Sequence, residues 1–293
     1  MFHTGAIMTS PLSGIELWTE FLSEREIPTL RHTVHAVTEA QGRIDRINVR
    51  EIANIVLHDP LMTVRVLRFS ARNRGRRQLQ DLSTVEHAVM MLGVEPFFHH
   101  FAHFDVIEDL LKPQPQALLG LLHVIRRAQR AARYALEWAT WRCDLNSEEI
   151  AIAALLHDLA EMLVWCFSPQ QALEIQALQT AHSAMRSADA QHAVLGFALS
   201  DLQTALCRRW ELPELLLYLM DDDHSERPRV KNVKLATDLA RHTAKGWDDP
   251  ALPDDYRAIA TLLNIDDDTL RLRLGLKNPN EESGAPPDTL SPA

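Results

Sequence analysis

The chain has 293 residues, 46% of them hydrophobic and 24% charged, with 40 Asp and Glu against 30 Lys and Arg and a formal net charge of −10. That size and composition suit a globular chain with a substantial core, and the acidic balance excludes a broad basic face for nucleic acid or an anionic membrane. Three cysteines, Cys143, Cys166 and Cys207, lie far apart with no CxxC spacing, which excludes a secreted-type disulfide framework and predicts a reduced, cytoplasmic protein.

Glycine is scarce, apolar residues recur at three- and four-residue spacing, and no segment alternates with period two, so the fold class read from the sequence is all-α. Residues before about 15 read as a loose leader without the basic flank and apolar core of a signal peptide. Helices are predicted near 15–24, 29–40, 49–57, 60–71, 83–92 and 95–111. Pro60 suits a first helical turn, and Ser83 with Gly93 brackets the apolar stripe of Val85, Ala88, Val89 and Leu92. Lys112-Pro-Gln-Pro-Gln116 breaks the helical pattern and marks an internal boundary. A second set is predicted near 117–140, 147–165, 169–181, 187–209, 213–221, 229–244 and 253–274. No apolar run reaches the roughly 18–20 residues of a membrane span. After Lys277 the polar, Pro-rich segment reads as a disordered tail. The resulting division is 1–24 as leader and first helix, 25–112 and 113–245 as two helical subdomains, 246–277 as C-terminal helices and 278–293 as the tail.

The feature that demands chemistry is the doublet His157-Asp158, set inside the otherwise apolar Ile150–Val164 segment. Polar groups on a buried helix need partners. His157 and Asp158 are expected to project from one helix about 100° apart, so other helices must close any shared site. His123 lies upstream, and His192, His224 and Asp238 lie downstream in separate helical segments. Imidazole with carboxylate suits Fe, Mn or Zn. The runs Arg72, Arg74, Arg76, Arg77 and Arg126, Arg127, Arg130, Arg133 read as solvated helix faces, and the cluster Phe98-His-His-Phe-Ala-His103 as an ordinary helix face.

His123, His157-Asp158 and Asp238 stand in the order of the HD superfamily of metal-dependent phosphohydrolases, and the whole chain more closely resembles its signalling-output branch, the HDOD family. The resemblance rests on Ile27-Pro-Thr-Leu30, His58-Asp-Pro-Leu-Met-Thr-Val-Arg-Val-Leu-Arg68, Leu82-Ser-Thr-Val-Glu-His-Ala-Val-Met-Met-Leu-Gly93, Ala154-Leu-Leu-His-Asp-Leu159, Gln191-His-Ala-Val-Leu-Gly196, Trp210-Glu-Leu-Pro213 and Asp223-His224, spanning roughly residues 25–245. It implies two helical subdomains, the C-terminal one an HD-like core. It also implies a divalent metal (Fe, Mn or Zn) among His123, His157, Asp158, His192, Asp223, His224 and Asp238, with a second ion bridged by Asp158 as the further option. Such a pair activates water and neutralises a phosphoryl group.

Three departures bear on activity. Glu161 stands where active relatives commonly carry a lysine, Asp223 replaces the first histidine of a pair, and His224-Ser-Glu-Arg-Pro228 lacks the Gly-Tyr-Pro of the phosphodiesterase branch. The expectation is therefore a regulatory module without catalysis and with a retained metal site. The alternative is a metal-dependent phosphohydrolase of nucleotides or cyclic dinucleotides, in which Asp158 would hold the metal. Expected partners are unidentified signalling proteins, with a homodimer as an option, and neither nucleic acid nor membrane.

Overall fold

In the computed structural model, residues 14–73, 84–101, 103–182 and 185–276 are described. The expected leader, Ser83 as a cap, Arg74, Arg76 and Arg77, and the tail lie outside them. The first group of helices is α1 (Ile15–Ser23), α2 (Arg31–Gln41), α3 (Val49–Leu57), α4 (Pro60–Arg72), α5 (Val85–Leu92), α6 (Val94–His100) and the single turn α7 (Ile107–Leu110). The second is α8 (Pro115–Trp141), α9 (Ser147–Leu156), α10 (Leu159–Phe167), α11 (Pro169–Ala181), α12 (Ser187–Leu195), α13 (Leu199–Arg209), α14 (Glu214–Leu219), α15 (Pro228–His242), α16 (Leu252–Leu263) and α17 (Asp267–Arg273), with a short 3-10 turn at Asp222–His224. Among the described residues, the one extended pairing is an isolated parallel bridge between Thr29 and Val106, so the all-α reading holds.

Local chemistry explains the starts. The Asn48 side chain accepts from the Glu51 N–H at the head of α3, and Thr84 accepts from the His87 N–H at the head of α5. α8 begins at Pro115, in a position that has no use for its missing N–H. Four predicted helices are broken in two. The 187–209 helix stops at Gly196, which adopts φ 87°, and the 253–274 helix stops at Asn264, at φ 53°. Both are left-handed conformations that end helices. The 95–111 helix ends at Phe101 and resumes only as α7. The fourth break falls at the doublet.

The 27-residue α8 is the central pillar, packing on α9, α10, α11 and α15, and touching the first group through α4. It approaches α10 closely at Gly120. A Cβ there would lie within 2.6 Å of Trp165 Cζ3 on α10, well inside van der Waals contact. Gly120→Ala is expected to destabilise the chain by about 1–3 kcal/mol, as overpacked cores do; urea denaturation checks this, and a stabilised variant would refute the close approach.

The Ser147–Phe167 stretch is long and apolar enough, by composition, to cross a membrane, which the sequence reading did not anticipate. In the fold 78% of that window is buried inside the protein, so it packs as core. In the first group, α3, α4 and α5 pack together while α1 crosses to lie on α13 of the second. Trp18 of α1 meets Phe197 edge-on, and Phe21 meets Phe167 the same way.

Candidate functional site: an ionic ring around the His-Asp doublet

His157 and Asp158 do not share a helix. α9 ends at Leu156, His157 follows as its C-cap, and Asp158, at φ −102° and ψ 25°, precedes α10. In an unbroken helix the Ala160 N–H would donate to the Leu156 carbonyl. Instead the buried Gln203 amide of α13 is inserted between them. The Ala160 N–H donates to Gln203 Oε1 at 2.7 Å, and Gln203 Nε2 donates to the Leu156 carbonyl at 2.6 Å. A side chain inserted into the ladder is a recognised cause of a sharp bend. Gln203→Leu is expected to cost about 1–3 kcal/mol and to let the helix close, turning Asp158 away from its partners. Urea denaturation reads the first effect and a crystal structure of the variant the second; wild-type stability with the break intact would refute the role of Gln203.

The break delivers Asp158 to cations. Arg127 of α8 donates from both Nε (2.9 Å) and Nη2 (2.6 Å) to Asp158 Oδ2, and Nη2 also reaches Glu161 Oε2 at 2.8 Å. The Asp158 side chain is 9% exposed and that of Arg127 16%, so this fork is largely withdrawn from water. Asp158 Oδ1 is approached by Arg241 Nη2 and by His157 Nδ1, each at 3.4–3.5 Å. Arg241 continues to Asp238 at 3.3 Å, Asp238 to Lys234 at 2.9 Å, Lys234 to Asp222 at 3.8 Å, and Asp222 Oδ1 back to His157 Nε2 at 3.4 Å. The contacts close a ring that joins α8, the α9–α10 junction, the 3-10 turn and α15.

Burial works against charge throughout, and the partners outweigh it. Arg127 titrates above its ordinary value because Asp158 and Glu161 overcome desolvation. The Asp158 carboxyl is held well below the usual carboxylate range against its burial, by Arg127 foremost, then His157 and Arg241. Burial alone would lower the pKa of His157, yet its hydrogen bonds to Asp158 and Asp222 push it up to about 9. With His157 protonated, four positive groups face four carboxylates. A raised histidine contributes its stabilisation fully below the ordinary pKa near 6.5 and loses it as pH rises through about 9. Wild type is therefore expected to lose about 3 kcal/mol across that window, and His157→Gln much less; thermal denaturation against pH checks it, and parallel profiles would refute the protonated ring.

Of the seven expected ligands, the structure brings His157, Asp158 and Asp238 together. His123 is exposed on α8, one turn before Arg127, and His192 is exposed on α12. Asp223 and His224 are exposed in the 3-10 turn, where His224 Nδ1 lies 3.1 Å from Asp221 Oδ2. Among the described residues no group of three or more His, Cys, Asp or Glu side chains is arranged to hold a metal ion. As arranged, the donors do not fit a divalent cation. The Asp158 oxygens already face guanidinium groups, and Arg127, Lys234 and Arg241 would oppose a further positive charge.

The sequence reading missed Arg127, Lys234, Arg241, Asp222 and Gln203. Arg127 had a signal. It falls three residues after Val124 and four before Ala131, on the stripe that continues through Tyr134 and Trp138, all buried. That is the inner face of α8, not the solvated face assigned to it, whereas Arg126 and Arg133 are exposed as expected.

The HDOD domain profile matches residues 27–226. The chain belongs to the HDOD family. No curated protein matches this HDOD chain. Solved structures do. The MmoQ response regulator from Methylococcus capsulatus str. Bath aligns with a TM-score of 0.65 at 16% identity, covering 87% of this chain and 100% of that one. A virulence factor from Campylobacter jejuni subsp. jejuni aligns with a TM-score of 0.59 at 19% identity, covering 90% and 94%. At such identities the likeness is one of fold.

Proposed function

We propose that this HDOD chain is a regulatory, protein-binding module whose HD core serves as a scaffold without turning over phosphoesters. The observation that carries the reading is the state of Asp158. A metal-dependent phosphohydrolase needs that carboxylate free to hold an ion that activates water. Here it is bound to Arg127, with Arg241 and His157 at its other oxygen. Glu161, which stands where a phosphate-assisting lysine is common, is engaged by the same Arg127. Likeness in fold to the MmoQ response regulator is in keeping with a signalling role. The partners would be signalling proteins.

The test is turnover of phosphomonoesters, phosphodiesters and cyclic dinucleotides by the purified chain with added Mn2+, Fe2+ or Zn2+. No rate above buffer is expected. Turnover abolished by His157→Ala would overturn the proposal in favour of a phosphohydrolase.

A further inference from the structure

We infer that Arg127 is the resident cation of this HD core: its guanidinium takes the place between Asp158 and Glu161 that a divalent ion would need, and removing it opens a divalent-metal site on the acids it leaves behind. The inference deepens the reading of the site given above and rests on it. One nitrogen, Nη2, lies 2.6 Å from Asp158 Oδ2 and 2.8 Å from Glu161 Oε2, while Nε holds Asp158 from the side at 2.9 Å. A single positive centre thus gathers two carboxylates from the start of α10 onto the middle of α8, the role a metal plays in tying helices together.

Arg127 stands on the same helix as the exposed His123, one turn later, and brings a cation to the doublet. The guanidinium is permanently charged and its fork matches carboxylates in a way that a lysine ammonium would not. The rest of the ring is arranged to suit that single charge. His157 lies 3.4 Å from Asp158 through Nδ1 and 3.4 Å from Asp222 through Nε2, and Lys234 and Arg241 neutralise the acids on the far side. With Arg127 gone, Asp158 Oδ2 and Glu161 Oε2 lose the cation between them, while Arg241 and His157 stay at Asp158 Oδ1. Paired carboxylate oxygens completed by water suit Mn2+, and Zn2+ also takes carboxylate ligands.

The experiment compares wild type, Arg127→Ala, Arg127→Lys and Arg127→Ala/Asp158→Asn by elemental analysis, thermal denaturation with EDTA, MnCl2 or ZnCl2, and titration calorimetry with each metal. Wild type is expected to carry well under one metal per chain and to melt at the same temperature with chelator or metal. Arg127→Ala is expected to melt about 10 °C lower, to bind Mn2+ or Zn2+ saturably, and to recover several degrees when it does. Arg127→Lys, which keeps a cation, gains no metal binding, and Asp158→Asn in the double variant abolishes the metal response.

Stoichiometric metal in wild type, or a fall in its melting temperature with EDTA, would overturn the inference. If no turnover accompanied that metal, the non-catalytic proposal would stand, so the two failures are distinguishable. A folded Arg127→Ala that ignores both metals would also overturn it. If Arg127→Ala does not fold alone, refolding with Mn2+ or Zn2+ decides: recovery supports the inference and its absence overturns it.

Discussion

Asp158→Asn is expected to lower the stability of the chain by about 3–5 kcal/mol, the range for breaking a buried ion pair from one side. The cost comes from what remains. Arg127 keeps Glu161 alone, which is 29% exposed and a weaker partner than the 9% exposed Asp158. Arg241 loses one of its two carboxylates, and His157 loses one of the two that hold its proton. Asp238→Asn is the control. It faces Lys234 and Arg241, both more than a third exposed, and is expected to cost about 1 kcal/mol or less. Replacing Arg127 and Asp158 together by Met and Leu is expected to restore a substantial part of the loss, because two charges then leave the interior as a pair. Urea denaturation of the four proteins checks the series. Asp158 and Asp238 variants of equal stability would show that the ring's buried side carries no more than its wet side.

The residues of that ring show what the sequence could and could not disclose. Motif order singled out His157, Asp158 and Asp238 as metal ligands, and the structure sets all three in one ionic ring through Arg241. Their partners were hidden for separate reasons. Arg127 sits in an arginine-rich run whose composition suggests a wet face, although its period places it with Val124 and Ala131 on the dry one. Lys234 and Arg241 bracket Asp238 at four- and three-residue spacing, a pattern common on solvated helices. Gln203 acts 47 positions from the carbonyl it caps, and no local rule assigns a partner at that distance.

The fold was legible at the level of helices and blurred at their breaks. Pro60, read as suiting a first helical turn, opens α4, whereas Pro115, read as part of a helix breaker, opens α8. Gly196 and Asn264 carry the residue types that favour a left-handed stop, so those two breaks had a signal in the chain that apolar periodicity masked. The α9–α10 break had only the helix-start pair of Asp158 with Glu161 three residues on, since Leu156-His157-Asp158-Leu159 offers neither glycine nor proline. It exists because α13 supplies an amide, and it alters the chemistry of the site by fixing which cations Asp158 meets.

Asp59 is the second place where one carboxylate governs stability, and Asp59→Ala is expected to cost about 3–5 kcal/mol. Its side chain is fully buried. Oδ1 accepts the Leu61 and Met62 N–H groups at 2.9 and 3.1 Å, capping α4, whose first residue Pro60 has no N–H to satisfy. Oδ2 accepts the Leu30 N–H at 2.9 Å, at the head of α2. Burial raises the Asp59 pKa, and the three N–H bonds pull it down. Alanine would leave three buried donors without an acceptor. The capping share alone is worth about 0.5–2 kcal/mol, and an orphaned interhelical N–H adds about 1–3. Asn keeps a carbonyl for α4 but turns an NH2 toward the Leu30 N–H, so Asp59→Asn is expected to fall between wild type and alanine. The same carboxylate thus joins the Ile27-Pro-Thr-Leu30 segment to the Asp59-Pro60 segment, two stretches that the sequence shows only as separate motifs. Urea denaturation orders the three proteins, and amide exchange at Leu30 separates the two roles. Faster exchange at Leu30 in both variants, with the α4 amides exposed in alanine alone, is the expected pattern. Alanine within 1 kcal/mol of wild type would mean that water or a shifted backbone replaces all three bonds.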